Sequence, residues 1–134
     1  MIFVDSSVWI SALRDGKSPE ARELARLLDS DEVALSIPVY LELLTGATRE
    51  NRARLRSVLS ALPVFYPTRE TWDRVEQWVP QASDRGQRFG AMDLLVASIA
   101  ADWRATLWSL DADFRRMARL ELVELFQPDP KSAI

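Results

Sequence analysis

Ile2-Phe3-Val4-Asp5-Ser6-Ser7-Val8-Trp9-Ile10 opens the chain, and its reading decides the fold. Ile2-Phe3-Val4 is a short apolar run, too short for a helix and rich in β-formers, and reads as a strand. Asp5-Ser6-Ser7 is N-cap chemistry. Val8-Trp9-Ile10 and Ala12-Leu13 then continue as a short helix that Asp15-Gly16 stops. Strand, tight turn and helix make up the repeating unit of a parallel α/β sheet, and the rest of the chain repeats it. Ser18-Pro19-Glu20 opens a second helix, with Leu24, Leu27 and Leu28 at helical spacing. Val33 to Ile37 reads as a strand, and Pro38 starts a helix that runs through Val39, Leu41, Leu43 and Leu44 to near Gly46. Arg49 to Leu62 is helical and arginine-rich, and Val64-Phe65-Tyr66 is a short strand between prolines. Thr68 or Thr71 caps a helix carrying Trp72, Val75 and Val79. Ala91 to Trp103 is apolar nearly all round, the pattern of a buried helix. Thr106 to Leu110 is a strand, Asp113 to Leu120 a helix and Leu122 to Phe126 a last strand. The alternation predicts an α/β domain with a central, mainly parallel sheet of about five strands. Right-handed crossovers would place helices on both of its faces.

The 134 residues contain no histidine and no cysteine. That excludes Ser-His-Asp and Cys-His catalysis, thiol redox chemistry and an ordinary zinc site. Lysine occurs only at positions 17 and 131, outside any apolar stretch, which argues against Schiff-base chemistry and a phosphate-loop lysine. A net charge of -3 and a pI near 5.0 do not mark a general nucleic-acid binder, although a local basic patch is compatible with both. The N-terminus lacks a basic segment followed by a long apolar one, so no signal peptide is expected. No apolar run approaches the roughly 18 residues of a membrane span. The expected compartment is the cytoplasm. No repeat or linker interrupts the chain, so one domain is expected over residues 1–134, with its core at about 1–126 and a short C-terminal tail.

Four of the 20 acidic residues stand apart. Asp5 follows the first strand and Asp111 follows Trp108-Ser109-Leu110, so both sit at C-terminal strand ends, where open parallel sheets bind ligands. Glu42 and Asp93 lie within apolar helical stretches, where a carboxylate is costly unless paired or bound to a cation. Each has a structural reading when taken alone: Asp5 and Asp111 as helix caps, Glu42 and Asp93 as partners of arginines. Together they could converge on one end of the sheet. Such a cluster repels itself and becomes stable around one or two hard cations, Mg²⁺ or Mn²⁺. Divalent cations make water a usable nucleophile near neutral pH and stabilise phosphoryl charge. Phosphodiester hydrolysis is the chemistry best matched to these residue types.

Four segments in order resemble the PIN-domain ribonucleases, in particular the VapC-type toxins of bacterial toxin–antitoxin pairs. They are Ile2-Phe3-Val4-Asp5-Ser6-Ser7-Val8, Pro38-Val39-Tyr40-Leu41-Glu42-Leu43, Gly90-Ala91-Met92-Asp93-Leu94-Leu95-Val96-Ala97 and Ser109-Leu110-Asp111-Ala112-Asp113-Phe114. The resemblance spans Met1 to Phe126 and implies a three-layer α/β/α sandwich around a central parallel sheet. It implies metal-dependent endonucleolytic cleavage of RNA by Asp5, Glu42, Asp93 and Asp111. Asp5 and Asp93 carry over as the direct metal ligands, with Glu42 and Asp111 as further ligands or as residues supporting them. Asp113 is a further acid near the site. Ser6 and Ser109 match small hydroxyl positions that hold water or orient carboxylates, or else serve only as caps. At Ser109 the family more often has threonine. The resemblance also implies a small cognate antitoxin that blocks the site, and a homodimer.

Phosphate contacts are expected from arginine. Arg85 and Arg88 flank the approach to the Asp93 helix and are the candidates for RNA binding. Arg49, Arg52 and Arg56, and Arg115, Arg116 and Arg119, read equally as solvated helix faces. Trp9, near the first acid, reads as core or as the lining of a groove for an antitoxin helix. Among other classes, aspartate-nucleophile phosphatases need a second Asp where Ser7 stands. Receiver domains need a lysine at a late strand end, and the chain has none between Lys17 and Lys131. A non-catalytic binding module of the same fold and a DNA-directed nuclease are the remaining alternatives. Four mutually repelling acids argue against the first, and the absence of added DNA-gripping helices against the second.

Overall fold

The computed structural model describes residues 1–128. Five strands, β1 (Ile2–Val4), β2 (Val33–Ser36), β3 (Val64–Phe65), β4 (Thr106–Trp108) and β5 (Glu124–Leu125), form one sheet in the order β3-β2-β1-β4-β5. Every pairing is parallel, so the sheet is wholly rather than mainly parallel. Seven helices connect the strands: α1 (Ser6–Arg14), α2 (Pro19–Asp29), α3 (Ile37–Gly46), α4 (Arg49–Leu59), α5 (Arg69–Asp84), α6 (Ala91–Asp102) and α7 (Ala112–Arg119). α1 packs on both α2 and α3, α3 packs on α4 and α6, and α5 packs on α6. Because the sheet grows in both directions from β1, right-handed crossovers cover both faces and give the α/β/α sandwich. No helix among the described residues is long and apolar enough to cross a membrane. Of the expected tail, residues 129–134 lie outside the described residues.

The continuous apolar runs belong to buried elements. β1 and β2 are buried along their whole length, with Phe3, Val4, Ala34 and Leu35 at the centre of the core. α6 is buried from Leu94 to Ala100, which explains its lack of a polar face. Ser18 caps α2 and Thr68, in a capping box with Thr71, caps α5.

Several predicted boundaries move by one to three residues, as helix and strand ends commonly do. The shift that bears on function is at β4, which stops at Trp108. Ser109 and Leu110 already leave the sheet, Asp111 becomes the N-cap of α7, and α7 begins at Ala112 rather than Asp113.

The order of strands fixes the site. The chain steps outward from β1 to β2 to β3, then crosses back to lay β4 on the other side of β1. The crevice at the C-terminal ends of β1 and β4 is therefore the topological switch point, the ligand-binding position of open α/β sheets. The Asp5 N–H donates to the Trp108 carbonyl at 2.9 Å and closes the two strand ends together.

Candidate metal centre

Asp5 and Asp111 leave adjacent strands and face this crevice. Both also cap helices: Asp5 accepts from the Ser7 N–H at the start of α1, and Asp111 Oδ1 accepts from the Asp113 N–H at 2.9 Å at the start of α7. Capping and a role in the site, alternatives in the sequence, coexist here. Asp93 lies in the first turn of α6, and α3, which carries Glu42, packs against α6. Three helix N-termini thus point at the acids, and their partial positive charge eases the repulsion among them.

Asp93, Asp111 and Asp113 each offer a carboxylate oxygen within 4.8 Å of the others. The carboxyl of Asp93 is pushed up to about 6, first by burial and then by the charges of Asp111, Asp5, Asp113 and Glu42. All the singled-out acids therefore act on one carboxylate. Among the described residues, no arginine or lysine forms an ion pair with Asp5, Glu42, Asp93 or Asp111. Arginine pairing, the structural reading of Glu42 and Asp93, is absent there. The donor set is all oxygen and suits a small hard cation such as Mg²⁺ or Mn²⁺.

Three details differ from the sequence reading. Glu42 is exposed and Asp93 only half-buried. On α3 it is Val39 and Leu43 that turn inward, so Glu42 escapes the burial its apolar neighbours suggested. Second, the hydroxyl that holds Asp5 belongs to Ser7, not Ser6. As the second residue after the cap, Ser7 turns back over the carboxylate, while Ser6 is buried and makes no hydrogen bond to Asp5. Third, the tightest group joins Asp93 to Asp111 and Asp113, whereas the resemblance paired Asp93 with Asp5.

Asp5 is held by a small network. Ser7 Oγ and Ser109 Oγ both donate to its Oδ2 at 2.8 Å. The same two hydroxyls accept the Leu110 and Asp111 N–H groups, each at 3.0 Å. The two hydroxyl oxygens also lie 3.2 Å from each other, so Asp5, Ser7 and Ser109 form one connected network. Asp5 Oδ2 is saturated, leaving Oδ1 for a ligand. Ser109→Ala is expected to lower stability by about 1.5–3 kcal/mol, the worth of a hydrogen bond to a charged group. Urea denaturation with an unchanged slope would register it.

Arg85 and Arg88 are exposed in the segment leading to α6. Arg116, which the sequence offered only as part of a solvated run, ion-pairs Asp113 at 2.6 Å. Its three-residue spacing from Asp113 on one helix was the available signal.

The PIN-domain family model matches residues 2–120, and the chain belongs to that family. It is 30% identical over 125 residues to ribonuclease VapC11 of Mycobacterium tuberculosis, covering 90% of this chain and 93% of that protein. Among solved structures, VapBC2 from Rickettsia felis bound to a promoter DNA fragment superposes with a TM-score of 0.79 at 22% identity, over 96% of this chain and all of that one. VapBC-1 from nontypeable Haemophilus influenzae gives a TM-score of 0.74 at 19% identity, over 96% and 98% of the two chains.

Proposed function

We propose that the chain is a divalent-metal-dependent endoribonuclease and the toxin of a toxin–antitoxin pair, acting in the cytoplasm as one domain. The observation that carries this reading is the set of carboxylates at the β1–β4 switch point, with Asp5, Glu42, Asp93 and Asp111 lacking a basic partner among the described residues. The similarity to a ribonuclease over nine-tenths of the chain supports it. Asp93, Asp111 and Asp113 would hold Mg²⁺ or Mn²⁺, with Asp5 through its open Oδ1 and Glu42 from α3 completing the set. When bound, such a cation supplies Lewis acidity and neutralises charge for phosphodiester hydrolysis. Ser7 and Ser109 keep Asp5 in one orientation, so no reorganisation is needed when the substrate arrives. Arg88, exposed two residues before the N-cap of α6, would take substrate phosphates, with Arg85, the C-cap of α5 beside Leu120 and Leu122, further from the acids.

Incubation of purified protein with structured RNA, followed by mapping of 5′ ends, tests the activity. Discrete new ends in Mn²⁺ that vanish in excess EDTA are expected. Intact RNA in both, with no growth arrest on induction in cells, would favour a non-catalytic binding module, and cleavage confined to DNA would favour a DNA-directed enzyme.

An antitoxin partner fits a second feature. A groove of about 510 Å³ runs between α1, α3 and α4, lined by Trp9, Ile10, Leu13, Leu43 and Val58 and by Glu42. Ile10, Leu13 and Val58 are exposed at 44%, 64% and 49%. An amphipathic helix laid in it would cover them and lie against Glu42. Leu13→Glu is expected to leave RNA cleavage unchanged and to weaken antitoxin binding by about 10-fold or more, measured by titration calorimetry. A homodimer, the family expectation, can be read from sedimentation of the same sample.

A further inference from the structure

Asp113 is the one acid of the cluster that pairs with an arginine among the described residues, and that arginine does more than neutralise it. Arg116 stands one turn further along α7. Its Nη2 donates to Asp113 Oδ1 at 2.6 Å. Its Nη1 donates to Gln87 Oε1, and its guanidinium carbon lies 4.7 Å from the centroid of the Phe89 ring.

Gln87 and Phe89 belong to the segment between α5 and α6. They are half-buried, while Arg88 between them and Gly90 after them are exposed. Gly90 is the N-cap of α6, and a Cβ at that position would lie 3.8 Å from Asp93 Oδ2, so the segment runs directly against the acid. One planar guanidinium therefore joins the helix carrying Asp111 and Asp113 to the segment that sets the start of the helix carrying Asp93. A fork with a flat face can bridge two acceptors and lie over a ring at once, whereas an ammonium is a single point charge. An isolated ion pair on a helix surface would contribute little. Here two of the three contacts are long-range in sequence.

We propose that Arg116 is a positioning residue. By clasping Gln87 and Phe89 to Asp113, it sets Asp93 against Asp111 and Asp113 and turns Arg88 outward at the rim of the site. The consequence for cation binding rests on the function proposed above; the clasp itself rests on contacts within the metal-free chain.

Hydrogen exchange of the metal-free protein, with Mn²⁺ titration of the same samples, tests it in wild type, Arg116→Ala, Arg116→Lys and Gln87→Ala. In Arg116→Ala, amides of residues 87–95 are expected to exchange about 10-fold faster, with α1 to α4 unchanged. Its Mn²⁺ affinity should fall by about 10–100-fold, the usual result of removing a group that orients a ligand. Arg116→Lys keeps the charge and should stay closer to Arg116→Ala than to wild type. Gln87→Ala keeps the ion pair and should still loosen residues 87–95. Full rescue by lysine together with a silent Gln87→Ala would reduce Arg116 to a counter-charge and overturn the proposal. Should Arg116→Ala fail to fold, the Gln87→Ala exchange decides alone. A wild-type protein that binds no Mn²⁺ would refute the cation site, and unchanged exchange in both alanine variants would refute the clasp.

Discussion

Asp93→Asn is expected to fold normally and to lose RNA cleavage by more than about 100-fold, the upper end of what loss of a supporting contact alone produces. Asp5→Asn should behave alike. The amide keeps the shape of the side chain but removes the negative charge a hard cation needs. The two variants probe different parts of one arrangement. Asp93 belongs to the tight group with Asp111 and Asp113, and Asp5 is fixed from the strand side by Ser7 and Ser109. Circular dichroism with single-turnover cleavage in Mn²⁺ checks both. Folded protein with wild-type activity in either variant, or wild-type activity in EDTA, would remove the acids from the chemistry.

The same substitution is expected to stabilise the metal-free protein, which separates the cost of the cluster from its use. Asp93 has an ordinary carboxyl value of 3.8 that the fold pushes up to about 6. Between those values the folded state holds the proton more tightly than the unfolded chain. Stability of the metal-free wild type is thus greatest near and below the lower value, as far as this group is concerned. It falls as pH rises toward about 6 and stays reduced above that. Asp93→Asn escapes this loss. Allowing for solvent screening at a partly exposed position, the gain is about 1–2 kcal/mol at pH 7.5 and shrinks as pH drops below 6. Urea denaturation in EDTA at pH 5 and pH 7.5 measures it. Mn²⁺ should reverse the ranking, because a ligand that binds only the folded state stabilises the protein able to hold it. A variant less stable than wild type at pH 7.5 without metal would mean that Asp93 is held by favourable contacts rather than by imposed repulsion.

The sheet was legible because its central strands are buried on both faces, so Ile2-Phe3-Val4 and Val33-Ala34-Leu35 carry the signal without a partner. Asp5 and Asp111 were legible as strand-end acids because strand ends can be read from apolar runs, but that β1 and β4 are neighbours rests on the strand order, which no local pattern carries. What surrounds them was less accessible. Ser6 and Ser7 are identical in type, and only the direction in which a helix turns after its cap selects Ser7. Glu42 was singled out for a burial it does not have, since α3 is apolar on more than its inward face. Arg116 was one arginine among many. Its contacts with Gln87 and Phe89 join segments distant in the chain, and no local pattern encodes them.

The central claim is that the acids at the β1–β4 switch point hold a divalent cation. Titration calorimetry of Mn²⁺ into metal-free wild type and Asp93→Asn at pH 7.5 tests it most directly. Saturable binding to wild type that is lost in Asp93→Asn is the predicted result. No binding to wild type, or equal binding to both proteins, would contradict it.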